Sequence, residues 1–225
     1  MEIAHLLFDL DSTLYAPDSD MTKGFLERTI TLVADFFHIS REEAAERRLS
    51  NLPHYSTTLE WMRREGLTDI ERYLAYIHPE SEADELDADE NLRPLLTSID
   101  MPKSILTNSP REHAERVLEK LNVADQFESI CDIRDCAFKG KPYESAYRTA
   151  LEKCGSTIGN TLFFDDQRKY INGYTTLGGN AVLVGAADNG STSHTQGECV
   201  REHGRIFRMP NIYALPALLQ QIIDL

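Results

Sequence analysis

The chain of 225 residues has no run approaching the roughly 18 consecutive apolar residues needed to cross a bilayer. Its four cysteines, Cys131, Cys136, Cys154 and Cys199, include no Cys-x-x-Cys pair and read as free thiols in a reducing compartment. Positive charge is scarce: 23 Lys and Arg stand against 37 Asp and Glu, for a net charge of -14. That balance argues against a nucleic acid polymer or an anionic membrane as a main partner. It leaves a small phosphorylated substrate open, because a metal and a few local cations can reverse the field inside one cleft. From Met1 the sequence runs straight into a strand pattern, without the basic segment and apolar core of a signal peptide. A cytoplasmic protein is therefore expected. No internal repeat or long low-complexity tract interrupts the chain, and nothing in it specifies an oligomeric state.

What is present begins with His5-Leu6-Leu7-Phe8-Asp9-Leu10-Asp11-Ser12-Thr13-Leu14-Tyr15. The apolar run is the pattern of a strand buried on both faces. Alternate residues of a strand point the same way, so Asp9 and Asp11 are expected on one side where the strand frays. Two carboxylates that close repel each other unless a cation lies between them, and Mg²⁺ suits hard oxygen ligands. The plainer alternative is a strand end capped by polar residues, with Asp11 or Ser12 serving a turn.

Residues 19–98 carry helical spacing. Phe25, Ile30, Leu32, Val33, Phe36 and Phe37 recur at helical intervals, and Ser40 with Glu43 reads as a capping box. Helices are predicted over 57–65 and 68–77, broken at Gly66. The acidic run 80–90 reads as a solvated connector leading to another short helix. This block is expected to act as a lid. From Met101 the rhythm alternates: strand at 102–106, helix to about Leu121, strand at 127–133, helix after Lys139-Gly140-Lys141-Pro142, strand at 161–164, helix, strand at 181–184. Such alternation predicts an α/β fold, a Rossmann-like parallel sheet with helices on both faces, which binds ligands beyond the carboxyl ends of its strands. The core is assigned to residues 1–16 and 99–225 and a small helical cap to 17–98. The stretch from Gly185 to Gly204 reads as a long surface loop.

Asp9-Leu10-Asp11-Ser12-Thr13, Leu106-Thr107-Asn108, Lys141-Pro142 and Phe163-Phe164-Asp165-Asp166 resemble, in order, the four motifs of the haloacid-dehalogenase-like hydrolase superfamily. Taken singly, Thr107-Asn108 can end a strand, Lys141 can be a surface lysine and Asp165-Asp166 can cap a helix. Together they point to one site. Within the superfamily, Tyr55-Ser56-Thr57-Thr58-Leu59 and Tyr76-Ile77-His78 resemble the pyrimidine 5′-nucleotidase group.

The resemblance implies a Mg²⁺-dependent phosphatase acting on a small phosphomonoester such as a nucleoside 5′-monophosphate. Asp9 is then the nucleophile and a metal ligand. Asp11 is the general acid and base, its pKa raised by neighbouring acids, with its backbone carbonyl on the metal. Thr107, Asn108 and Lys141 bind the phosphate, Lys141 also supplying catalytic positive charge. Asp166 is expected as the direct metal ligand and Asp165 as the acid on a metal-bound water, with the order open. Tyr55 and His78 are candidates for substrate specificity, and Trp61 for lid core. Three departures stand out. Ser12 replaces the Asn, Asp or Gly commoner in relatives, Tyr170 replaces an outer metal contact for which Asn172 is a candidate substitute, and Glu80 or Glu82 replaces an acid expected sooner after His78. The alternatives are a phosphosugar mutase of the same fold and a non-catalytic regulatory relative. Dehalogenation is disfavoured because those relatives need no acid at position 11 and bind no metal. Phosphonate hydrolysis by a cap lysine is disfavoured because no lysine lies between Gly24 and Pro102.

Overall fold

The computed structural model describes residues 2–185 and 199–223. Its centre is a seven-stranded sheet in the order β3-β2-β1-β4-β5-β7-β6. β1 (His5–Phe8), β2 (Lys103–Leu106), β3 (Ser129–Cys131), β4 (Thr161–Asp165), β5 (Asn180–Val184) and β7 (Ile206–Met209) run parallel. β6 (Val200–His203) pairs antiparallel with β7 at one edge. The strands are short apolar runs because both faces are covered, as a parallel sheet requires. Alternation divides them: Leu6 and Phe8 enter one apolar cluster and Leu7 the other.

Against the first face pack α5 (Leu92–Thr97), α6 (Arg111–Lys120) and α9 (Leu215–Ile223), through Leu92, Leu96, Ala114, Val117, Leu118, Leu215 and Leu218. On the second face lie α7 (Glu144–Lys153) and α8 (Arg168–Thr176), through Ala146, Tyr147, Ala150, Leu151, Ile171 and Tyr174. Between β1 and β2 the chain forms α1 (Asp20–Phe37), α2 (Arg41–Asn51), α3 (Thr58–Arg64) and α4 (Ile70–Ile77). These four helices share a cluster of their own around Val33, Leu59, Trp61, Met62, Tyr73 and Ile77. Trp61 lies inside it, stacked on Phe37 at 5.2 Å between ring centres. Past α4, Leu86 and Leu92 join the cluster of the sheet.

The predicted helices and parallel strands are found within a few residues of their expected bounds. Four details differ. Ser40 caps α2 by accepting from the Glu43 amide, but the Glu43 carboxylate turns to Arg47 at 2.7 Å, so the box is half formed. The acidic run is not all solvated: Glu82–Glu85 is a 3-10 turn in which Glu82 is fully buried. Of the expected late loop, 186–198 lies outside the described residues, while Val200–His203 is β6; its mostly exposed Val-Arg-Glu-His pattern gives no apolar signal to read. Finally, β1 ends at Phe8, so Asp9 and Asp11 are not alternate residues of a strand.

What sets the two aspartates is a turn. The Thr13 and Leu14 amides both donate to the Leu10 carbonyl, and Ser12 has φ 63°, in the left-handed region. An L-residue there costs roughly 1–2 kcal/mol unless it is Gly or a short polar residue such as Asn or Asp. Ser12→Asn and Ser12→Gly should therefore hold or raise the midpoint of urea denaturation, whereas Ser12→Val should lower stability by about 1 kcal/mol or more. Urea titration of the three variants measures this directly.

Candidate functional site

The carboxyl ends of β1, β2 and β4 meet where the strand order departs from chain order, the usual ligand crevice of such sheets. The four helices lie over this edge, and a cavity of about 600 Å³ opens between them and the sheet. Asp9, Asp11, Thr107, Asn108, Lys141, Asp166 and His78 line it. Asp165 sits behind that wall, fully buried.

At the floor, the Lys141 Nζ lies 2.7 Å from Asp9 Oδ1 and 2.6 Å from Asp165 Oδ2. All three side chains are nearly or fully buried. Burial works against the ammonium, but the two carboxylates outweigh it and hold its pKa well above the ordinary lysine range. Asp166 completes a group of three carboxylates whose oxygens lie within 4.8 Å of one another. One ammonium faces three closely spaced acids. Burial pushes Asp9 and Asp165 up, and it raises Asp166 to about 7, with the Asp9 charge adding to the effect.

Asn108 does something other than expected. Its side chain accepts from the Lys141 amide at 2.7 Å and donates to the Lys141 carbonyl at 3.0 Å. The asparagine thus fixes the loop that carries the lysine. Gly140 is needed for this, because a Cβ there would stand 2.0 Å from Asn108 Oδ1. Thr107 is buried and accepts from the Ser109 amide. Tyr170 lies with its ring 5.1 Å from the Lys141 Nζ and donates to the Ser56 carbonyl, tying α8 to the helical segment. Asn172 is exposed on α8 and does not take over an outer contact.

Asp11 faces a second group. Its carboxylate accepts from Tyr15 at 2.7 Å, from Ser109 at 2.8 Å and from His113 Nε2 at 2.7 Å. The expectation that neighbouring acids raise its pKa is not met: burial does push it up, but the charge and hydrogen bond of His113, with Tyr15, pull it well below the usual range. His113 Nδ1 faces Glu82 Oε1 at 2.7 Å, so both ring nitrogens meet carboxylates. Burial opposes the imidazolium, yet Asp11 and Glu82 raise its pKa to about 10. Glu82 also meets His78 Nδ1 at 2.9 Å and Arg116 at 2.7 Å. His78, stacked on Phe25 and tilted at 45° against His113, is lowered to about 4, chiefly by burial and then by the His113 charge. Tyr55 packs on the cluster of the four helices rather than lining the cavity, where Ser56, Thr57 and Thr58 form the wall.

His113 and the buried role of Glu82 were missed in the sequence. The available signal was a polar residue in the first turn of a helix that starts directly after Thr107-Asn108-Ser109-Pro110.

A mostly parallel sheet sandwiched by helices, with carboxylates and a lysine gathered at its carboxyl edge, defines a Rossmann-type α/β protein. Residues 3–169 match the model of the haloacid dehalogenase-like hydrolase family, and the chain belongs to that family. Among solved structures it is similar to a HAD phosphatase from Thermococcus onnurineus, with 19% identity, TM-score 0.64, and coverage of 97% of this chain and 98% of that one. It is also similar to an L-2-haloacid dehalogenase from Xanthobacter autotrophicus, with 18% identity, TM-score 0.60, and the same two coverages, 97% and 98%. The four cysteines are free thiols, and among the described residues no helix is long and apolar enough to cross a membrane.

Glu82 is where the histidine pair and Arg116 are neutralised together. Removing one partner of a buried ion cluster leaves the others uncompensated, at a cost of about 3–5 kcal/mol. Glu82→Gln should lower the free energy of unfolding by roughly that amount. A change under about 1 kcal/mol in urea titration would contradict the network.

Proposed function

We propose that the protein is a Mg²⁺-dependent phosphomonoester hydrolase working through an aspartyl-phosphate on Asp9, with residues 17–98 as its cap. The substrate proposed is a small phosphorylated metabolite, such as a nucleoside 5′-monophosphate. One observation carries this reading: Lys141 is clamped between Asp9 and Asp165 at the floor of a cavity, with Asp166 beside them.

The donor set fits a hard divalent cation. Three carboxylates converge beside a single ammonium, and no thiol or imidazole enters the group. Asp9, Asp166 and the Asp11 backbone carbonyl would hold the ion, and Asp165, behind the wall and already bound to Lys141, would contact a bound water. Bound there, the ion supplies positive charge against which a phosphate dianion can approach carboxylates.

The residues of the chain then divide the work. Lys141 holds Asp9 in place and offsets charge on the transferred group. An Asp9 oxygen attacks phosphorus and the ester oxygen leaves with a proton from Asp11. That proton comes from His113 Nε2, 2.7 Å from Asp11, since Asp11 as it stands is ionised. In the second half Asp11 takes a proton from water, whose oxygen attacks phosphorus, and the proton passes back to His113 Nε2. Inorganic phosphate forms and Asp9 is freed. Thr107 lies in the cavity wall, where its hydroxyl can meet phosphoryl oxygens. Haloacid hydrolysis, the activity in the name of one similar structure, fits less well because it leaves Asp11, its three donors and the surplus carboxylates without a task.

Phosphate release from a panel of phosphomonoesters, with Mg²⁺ and with excess EDTA, tests the reading. Hydrolysis should vanish on chelation and return with Mg²⁺. Asp9→Asn should lose at least about 10³-fold in kcat while keeping the folded circular dichroism spectrum. Appreciable Mg²⁺-dependent turnover by that variant would refute the nucleophile.

A further inference from the structure

The cavity has a second charged pole that the proposed chemistry leaves unused. α2 carries three arginines in its middle and at its start. Arg41 pairs with Glu27, and Arg47 pairs with Glu43 at 2.7 Å, both on the outer surface. Arg48 turns inward and lines the cavity with Leu52, Pro53 and Tyr73. Its Nε is buried with no hydrogen-bond partner among the described residues. Burial lowers its pKa and the Tyr73 hydroxyl opposes this; no carboxylate acts on it.

The other cations on this wall are engaged. Lys141 is held by Asp9 and Asp165, and Lys169 donates to the Ser56 carbonyl at 2.9 Å. A guanidinium stays charged in proteins, and half-burying one without an anion costs free energy that nothing in the described residues returns. The carboxylate floor contributes Asp9, Asp11 and Asp166, while the Arg48 pole belongs to the helical segment. Apolar residues, Phe25, Leu59 and Ile77 among them, line the same cavity. A volume of about 600 Å³ lies in the range of sites that enclose a small ligand.

We infer that Arg48 is a specificity-determining residue that binds the end of the substrate remote from the phosphate, and that this end presents two hydrogen-bond acceptors in one plane. A guanidinium fork matches such an edge with two parallel N–H bonds. A carboxylate supplies it, and so does a heterocyclic edge that sets a carbonyl oxygen beside an unprotonated ring nitrogen. An apolar or single-hydroxyl tail leaves Arg48 unanswered. This inference rests on the phosphatase reading above and adds to it the part of the substrate that is recognised.

The test compares kcat/KM for three phosphomonoesters in Mg²⁺ with wild type, Arg48→Met and Arg48→Lys. Cytidine 5′-monophosphate carries ring O2 and N3 acceptors side by side, O-phosphoserine a carboxylate, and phenyl phosphate no acceptor beyond its ester. In Arg48→Met the preference for the best acceptor-bearing substrate over phenyl phosphate should fall roughly 10- to 100-fold, mainly through KM. Arg48→Lys should recover part of it, since it restores charge without the planar fork. Whichever acceptor-bearing ester shows the fall identifies ring edge or carboxylate as the group read. A role in folding alone would lower all three rates together and leave the ratio fixed, which would overturn the inference while the phosphatase reading survives. Wild-type protein inactive on every phosphomonoester would instead remove the phosphatase reading, and this inference with it.

Discussion

Everything at the site depends on one buried ammonium. Asp9 follows β1 and Asp165 ends β4, two paired central strands, so the sheet delivers both carboxylates to one place. Without a cation between them, two ionised acids this deeply buried repel and take up a proton. Lys141 is the local answer, and its own position is over-determined. The Asn108 side chain grips its backbone from both sides, and Gly140 leaves room for that grip. Phe163 and Tyr170 present ring faces to the ammonium at 5.6 and 5.1 Å. A lysine so held cannot swing away to relieve the acids, and a single ammonium cannot satisfy Asp166 as well. The oxygen-only donor set beside it is of the kind that suits a hard dication.

The helical segment is tied to this centre by charge as well as by apolar contacts such as those of Met21, Ile133 and Phe138. Glu82 follows the last of the four helices, yet it meets His113 and Arg116 of α6, and His113 passes on to Asp11. Arg134, in the loop after β3, adds a further tie at 2.7 Å to Glu71 of α4. The neighbouring rings of His78 and His113 are shifted in opposite directions: Asp11 and Glu82 raise His113, while burial lowers His78. Two imidazolium rings at 4.3 Å would repel, so the charge of His113 adds to the effect of burial on its neighbour.

Much of this was legible in the chain. The strands are short apolar runs bounded by polar residues, a signal that survives without any knowledge of neighbours. Their carboxyl ends carry Asp9, Thr107 and Asp165, so the shared edge follows from parallel topology alone. What stayed hidden depends on partners distant in sequence. Glu82 reads as solvated among ten other residues rich in acid, and is buried because cations from 31 to 34 residues away converge on it. Asn108 looks available for a ligand until the loop at Lys141 folds against it. Asp11 looks like one of two matching acids, yet it meets Tyr15, Ser109 and His113 while Asp9 meets Lys141. Strand β6 is an exposed edge whose pairing with β7 supplies what its own residues do not announce.

The two poles of the cavity follow from how the fold was assembled. The sheet edge can concentrate carboxylates because parallel strands end together; helices laid over it have no comparable constraint, and their inward residues are free to differ. Chemistry common to a family therefore belongs to the floor, and discrimination belongs to the roof. Arg48 is a roof residue in this sense. Its helix packs on α1 rather than on the strands that carry Asp9 and Asp165, so its side chain can change without moving Asp9 or Lys141. A charge with that independence, facing a cavity and lacking an acid, is better matched to a ligand than to the fold.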